Sequence, residues 1–458
     1  MKINVDKSFQ VCGNNNRYQK LFFLAVALTW FSVDFVSISF PLLELMPNFK
    51  CKFGDLWQDC TDEQYCSIDK PQDRQANVIY ANIVTDFELY CSKTLVICIG
   101  VVYTLGIFLG AILSSKFSDK IGRKPVLLLC HFLFACGGIT ITIAPNVYFI
   151  FGILFLIGVS SAGGVMVSFL FIYEVLAPNA RSIYGTLINS SFAVAGIIYF
   201  TSFQYIKDWK IIAYMCTVTD ILSGLLILTY FTESPRFLLS QGKVEKGFKA
   251  LYKIAKKNGK RKDFYKYLMS DLSIQQDYKE NIFPQIERED DQIKRYVSDN
   301  NFYNNNVNSQ DSNKSTLIES PVGVKKSIEQ LVQGISNESD SSDENGVKEE
   351  PFLARSSSGS VYSKDDQNIS VKSPIVSKEA GFSALVKYKS IRSSFLICCF
   401  LWFAMAFTYY GISMGIKNNK DSVFTDGYVV YTAEGISISL REFYYQLPFS
   451  EEPERYRL

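Results

Sequence analysis

LVICIGVVYTLGIFLGAILSSKFSDKIGRKPVLLLCHFLFACGGITITIA, residues 95–144, holds two apolar runs joined by a turn of basic residues. A membrane-crossing helix needs about 20 mostly apolar residues, because the hydrocarbon core is about 30 Å thick and each helical residue rises about 1.5 Å. Residues 94–115 and 125–144 satisfy that length, and their connection sets Lys116, Lys120, Arg123 and Lys124 against Asp119 alone. The pattern predicts two spans with a basic elbow between them.

Five further runs outward from this pair meet the same criterion: 21–43, 147–172, 183–206, 211–232 and 393–416. The fold class expected is all-α, a polytopic membrane helical bundle of about seven spans. Ala144-Pro145-Asn146 supplies a tight break between the third and fourth spans. The polar leader, 1–20, is too long for a secretory signal and no A-x-A-like cleavage site follows it. Hydrophobic residues make up 48% of the chain, and the formal net charge of +2 gives no reason to expect a polyanionic partner, so nucleic acid is set aside.

Lysine and arginine in short loops orient such a bundle. The leader (Lys2, Lys7, Arg17, Lys20), the 116–124 elbow and the stretch after the sixth span (Lys243, Lys246, Lys249, Lys253, Lys256, Lys257) fall on one side, expected to be cytoplasmic. The loop 46–93 then faces outward. It carries Cys51, Cys60, Cys66 and Cys91, which predict two disulfides, with three pairings open. Cys98, Cys130, Cys136, Cys216, Cys398 and Cys399 lie in apolar runs and are read as small packing residues.

The cytoplasmic loop 233–392 reads as amphipathic at its ends and disordered in the middle. Val244, Phe248, Leu251, Tyr252 and Ile254 recur at helical spacing among lysines. Beyond about Asp290 the chain turns to Asn, Ser and Asp, too polar to offset the entropy of ordering, and Arg355-Ser356-Ser357-Ser358 there could accept phosphate. The end, 417–458, is expected to be an extracellular tail of unknown structure, with Tyr428 to Leu440 alternating weakly like a strand.

Ser115-Lys116-Phe117-Ser118-Asp119-Lys120-Ile121-Gly122-Arg123-Lys124-Pro125 resembles the loop signature of the major facilitator superfamily, in which a Gly, an Asp-Arg/Lys pair and a Gly-Arg-Arg/Lys group join the second and third spans. Ser115 stands where that pattern has its first Gly. Three more stretches narrow the likeness: Ile83-Val84-Thr85-Asp86-Phe87-Glu88-Leu89-Tyr90-Cys91; Glu233-Ser234-Pro235-Arg236-Phe237-Leu238-Leu239-Ser240; and Leu401-Trp402-Phe403 with Tyr409-Tyr410-Gly411. Together with the cysteine-bearing loop they resemble the organic cation and organic anion transporters, from about Gly13 to Ile416 outside the low-complexity insert. Members of that family have twelve spans in two six-span halves with substrate between them. This chain resembles the first half plus one helix, and nothing after Lys417 resembles a second loop signature, so a second half-transporter or further copy is an expected partner.

The resemblance makes Asp119, Gly122, Arg123, Lys124, Glu233 and Arg236 loop-signature residues, and Glu174 followed by Arg181 a gating pair. Among groups inside the spans, Asp34 lies near the middle of the first, where an ionised carboxylate costs about 2.5–3.5 kcal/mol. A substrate or proton site and a structural hydrogen bond are both open for it; Asp220 raises the same question, and His131, the single histidine, is read as structural. Trp402 and Tyr409, two turns apart, share a helix face suited to an organic cation, and the resemblance places substrate-contacting aromatics there.

The function expected is secondary transport of a small organic ion, a cation favoured, across a lipid bilayer, with the plasma membrane as the site. No phosphate loop, H-E-x-x-H or Cys/His array is present in the sequence, so no enzyme activity, cofactor or metal is expected. A non-transporting sensor or regulatory membrane protein is the alternative. A seven-span receptor with an outside amino terminus conflicts with the basic leader.

Overall fold

Short polar signals set the ends of the apolar runs. The computed structural model describes residues 5–13, 15–270, 286, 290–295, 298, 389–416 and 423–446. Helix α1 (Val5–Cys12) leads into α2 (Arg17–Leu43). After the cysteine-bearing loop come α5 (Lys93–Ile121), α6 (Arg123–Thr140), α7 (Val147–Val175), α8 (Pro178–Ile206) and α9 (Trp209–Tyr230). Asn146 caps α7 by accepting from Phe149 N–H at 2.9 Å, and Pro178 begins α8, where a missing amide proton costs nothing. Among the described residues, six helices (α2 and α5–α9) are long and apolar enough to cross a membrane.

The loop between α2 and α5 is a small disulfide-bonded head. Strands β1 (Asn48–Phe53), β2 (Leu56–Cys60) and β3 (Arg74–Asn77) form an antiparallel sheet in the order β2-β1-β3, with α3 (Asp62–Ser67) and α4 (Ile83–Asp86) following β2 and β3. Of the three pairings open to the four cysteines, the structure has Cys51–Cys60 and Cys66–Cys91. Phe49 packs on the rings of Tyr65 and Tyr90 at 4.3 and 5.6 Å. Asn82 donates to the carbonyls of Leu42 (3.0 Å) and Leu45 (2.8 Å), and Trp209 Nε1 donates to Asp86 Oδ2 (3.1 Å), which ties the head to the bundle.

Lipid tails are as apolar as leucine, so helices in a membrane are held by close packing and buried polar contacts. The pair α5 and α7 is an example. A Cβ added to Gly106 would lie 2.3 Å from the Phe155 carbonyl oxygen, and one added to Gly158 would lie 2.3 Å from that of Tyr103, so backbone meets backbone. Deeper in, Phe22 packs edge-on against Phe171 (4.7 Å) and beside Phe231 (4.6 Å), joining α2, α7 and the end of α9.

At the basic end lie α10 (Pro235–Ser240), α11 (Val244–Lys257) and α12 (Arg261–Ser270). Phe248, Leu251, Ile254 and Ala255 of α11 are buried while Lys246, Lys253 and Lys256 face out. The Asn258 side chain accepts from Tyr18 N–H (3.0 Å) and donates to the Cys12 carbonyl (2.9 Å) and Gln19 (3.0 Å), which fixes the α1–α2 junction. Burial alone would raise the Asp290 carboxyl. Hydrogen bonds from Lys256, Tyr252 and the Gln292 amide, with the Arg261 charge, outweigh it and hold the group at about 2. The described residues within 1–293 and 381–458 form one compact unit. The stretch read as disordered, with Arg355–Ser358, lies outside the described residues past residue 298.

Two further helices follow. The predicted seventh span lies in α13 (Lys389–Ile416), which is apolar over Arg392–Thr408 among the described residues. The tail departs from its strand-like reading: Val423–Gln446 is a helix, α14. The alternation concealed a helical stripe, in which Phe424, Gly427, Tyr431 and Gly435 face α8. Tyr431 lies on Gly196 and Phe200, and Tyr428 bonds Thr201 and Gln204, each at 3.1 Å. Rising residue numbers in α14 meet falling ones in α8, so the helices run antiparallel. This part of 417–458 therefore lies alongside the bundle instead of beyond its end.

Candidate functional site

The basic elbow between α5 and α6 closes around one glutamate. Gly122 ends α5 with φ +121°, a conformation that disfavours a side chain, and an added Cβ would lie 2.4 Å from Glu233 Oε2. That carboxylate accepts from the amides of Arg123 (3.0 Å), Lys124 (3.3 Å) and Ser234 (2.9 Å), so it sits at the amino terminus of α6, where negative charge is favoured. Arg123, 8% exposed, turns back into the bundle. Its fork meets Glu174 of α7 at 2.9–3.2 Å, Nη1 donates to the Ser118 carbonyl at 2.7 Å and pairs Asp119 at 3.1 Å, and the guanidinium lies 4.5 Å from the Phe237 ring. Arg236 donates to the Glu174 carbonyl at 3.0 Å and pairs with Asp6 of α1.

Asp119, Gly122, Arg123, Lys124, Glu174, Glu233 and Arg236 thus converge. Arg181 does not pair with Glu174. It donates to the Tyr173 carbonyl at 3.1 Å and approaches Asp6 at 3.9 Å. The reason is competition: Arg123 already engages the Glu174 carboxylate in a two-pronged contact that suits a guanidinium. Asp6 therefore bridges two arginines, a role the leader sequence did not advertise.

In the bundle interior Asp34 is 6% exposed on α2. Ser191 of α8 is within hydrogen-bonding reach, and Glu434 of α14 is coupled to it electrostatically. Among the described residues neither Asp34 Oδ2 nor Glu434 Oε2 has a hydrogen-bond partner. Trp30, one turn before Asp34, packs against Phe169 of α7 at 5.7 Å, and its Nε1 also lacks a partner among the described residues. Trp402 is not brought to this group: it is 72% exposed on α13, while Asp34 is buried. The side chain of Tyr409 lies outside the described residues.

A second buried polar group holds α2, α6 and α9 together. His131 Nδ1 lies 2.8 Å from Asp220 Oδ1, with side chains 5% and 2% exposed. Ser32 donates to the same oxygen at 3.4 Å, and the Thr29 hydroxyl lies 3.4 Å from His131 Nε2 and 2.8 Å from the Ser223 hydroxyl. Glu434 and Trp30 were missed in the sequence. Trp30 was detectable by its four-residue spacing from Asp34, and Glu434 only once its segment is read as a helix.

Comparison with known proteins places the chain in a family. The family model described as "Sugar (and other) transporter" matches residues 20–288. An Arabidopsis thaliana organic cation/carnitine transporter 4 is 25% identical over 264 residues, covering 57% of this chain and 49% of that protein. Solute carrier family 22 member 2 of Rattus norvegicus is 32% identical over 184 residues, covering 39% and 32%. A partially occluded, inward-open xylose transporter of E. coli superposes with a TM-score of 0.37 at 16% identity, over 55% of this chain and 59% of that one. The chain spans half or less of the length of these two curated relatives. The match covers more than half of the chain and agrees with the resemblance read in the basic elbow, and so the chain belongs to the sugar (and other) transporter family of the major facilitator superfamily.

Proposed function

We propose that this multi-pass membrane protein serves in secondary transport of a small organic cation by alternating access, with the cation held between α2 and α14. The observation that carries this reading is the electrostatically coupled pair Asp34 and Glu434, each with a buried oxygen that lacks a hydrogen-bond partner among the described residues. Two carboxylates set together inside a bundle are costly unless a positive charge or a proton joins them. Trp30 adds an aromatic face one turn away, worth about 0.5–2 kcal/mol toward a cation. The names of the organic cation transporters among its relatives support the substrate class.

The test is equilibrium binding of labelled tetraethylammonium to the purified full chain in nanodiscs. Asp34→Asn is expected to weaken binding about tenfold, as for the loss of one charged contact of about 1.4 kcal/mol. Equal binding by wild type and by both Asp34→Asn and Glu434→Gln would refute the site. Binding without uptake into vesicles would instead move the chain to a regulatory, non-transporting role.

The same reading puts the basic elbow in the cytosol at the plasma membrane. Reagents applied outside intact cells should label an engineered tag at position 70 and leave Lys116 and Lys120 untouched. Labelling of the lysines but not the tag would invert the topology.

A further inference from the structure

Two lysines reach the end of α9, and a third stands one helical turn from one of them. Lys124 donates to the carbonyls of Leu228 (2.9 Å) and Phe231 (2.6 Å). Lys257 of α11 donates to the Tyr230 carbonyl, with its Nζ 3.6 Å from the centre of the Tyr230 ring. Lys253, one turn earlier on α11, is exposed and electrostatically coupled to both. Burial lowers the Lys257 ammonium first, and the charges of Lys124 and Lys253 lower it further.

Lysines at a helix carboxyl terminus often do no more than cap it, since that end carries about half a negative charge. Two lysines already meet the free carbonyls of α9, so the third is surplus. The nearby carboxylate, Glu233, spends both oxygens on the amides of Arg123, Lys124 and Ser234. Its charge offsets one ammonium of the three, so the cluster keeps net positive charge in a place that attracts an anion. Its depth identifies which anion: Leu228, whose carbonyl Lys124 holds, is 54% exposed and Leu225 is 50% exposed, on a helix apolar enough to span. A group bound at the lysines has its neighbouring surface in hydrocarbon.

We propose that Lys124, Lys253 and Lys257 at the end of α9 form a binding site for the headgroup phosphate of an anionic phospholipid, whose acyl chains lie along Leu225 and Leu228. The site is independent of Asp34 and of what the protein carries. Lys124 and Lys257 hold the phosphate's position through their anchoring carbonyls, and Lys253, free to swing, completes the contact from the water side.

Full-length chain is extracted with equimolar phosphatidylserine and phosphatidylcholine, and the retained lipid is counted by native mass spectrometry. Wild type should retain phosphatidylserine preferentially. Lys253→Gln, an exposed change that leaves both carbonyl contacts in place, should lower its affinity about fivefold, the effect of one lysine near a membrane surface. Lys246→Gln, equally exposed on the same helix, should change it little. Inorganic phosphate should displace the lipid only weakly, because it lacks the chains. Equal loss in the two variants would reduce the effect to diffuse surface charge. Equal retention of both lipids, or phosphate displacing phosphatidylserine readily, would also overturn the proposal.

Discussion

His131→Leu should destabilise the bundle by about 3 kcal/mol, the upper range for leaving a buried polar group without its hydrogen-bond partner. Among the described residues Asp220 would then keep only Ser32, at 3.4 Å, inside a three-helix contact where it is 2% exposed. Asp220→Leu should cost less, because the imidazole left behind can still reach Thr29. The double variant is expected to recover most of the loss, since apolar residues of similar size often replace a buried pair at little cost. Thermal unfolding of the four proteins in one detergent measures this. A His131→Leu melting curve that overlays the wild type would show that the pair holds nothing.

Arg123→Gln should have a comparable effect at the other polar centre, about 3–5 kcal/mol. It strips Glu174 of its bidentate partner and the Ser118 carbonyl of one of its two donors, leaving the Gly122 amide, while both groups stay near the protein interior. Arg123→Lys should restore only part of the loss. An ammonium can pair with Glu174 or reach Ser118, but it lacks the planar fork that does both. Limited proteolysis within the 116–124 elbow, together with the melting curve, reads the result. Full rescue by lysine would mean that charge alone matters there.

The spans were legible because bilayer thickness imposes a length that a run of apolar residues either meets or does not. The elbow was legible because its residues act locally: Gly122 makes the turn, and Glu233 caps the next helix. What escaped depends on contacts distant in sequence. Arg123 and Arg181 are both plausible partners for Glu174 on paper, and only the packing of α6 on α7 decides between them. Asp6 lies in an unremarked leader, and no local rule sends it to Arg236. In α14, polar residues at Asp426 and Glu434 interrupt the apolar pattern, so period two and period 3.6 fit about equally well until α8 is placed beside it.

The glycine seam between α5 and α7 has a mechanical consequence. Where side chains interdigitate, neighbouring helices can slip by exchanging rotamers; where carbonyl lies against Cα, nothing is available to exchange. The Gly106–Gly158 contact should thus behave as a weld, so that any tilt imposed at the Arg123 end reaches the disulfide-bonded head undiminished. Bulk added at either glycine would act as a wedge, prising the two helices apart along their length, and its signature would be loosened motion across the whole plate instead of at one spot.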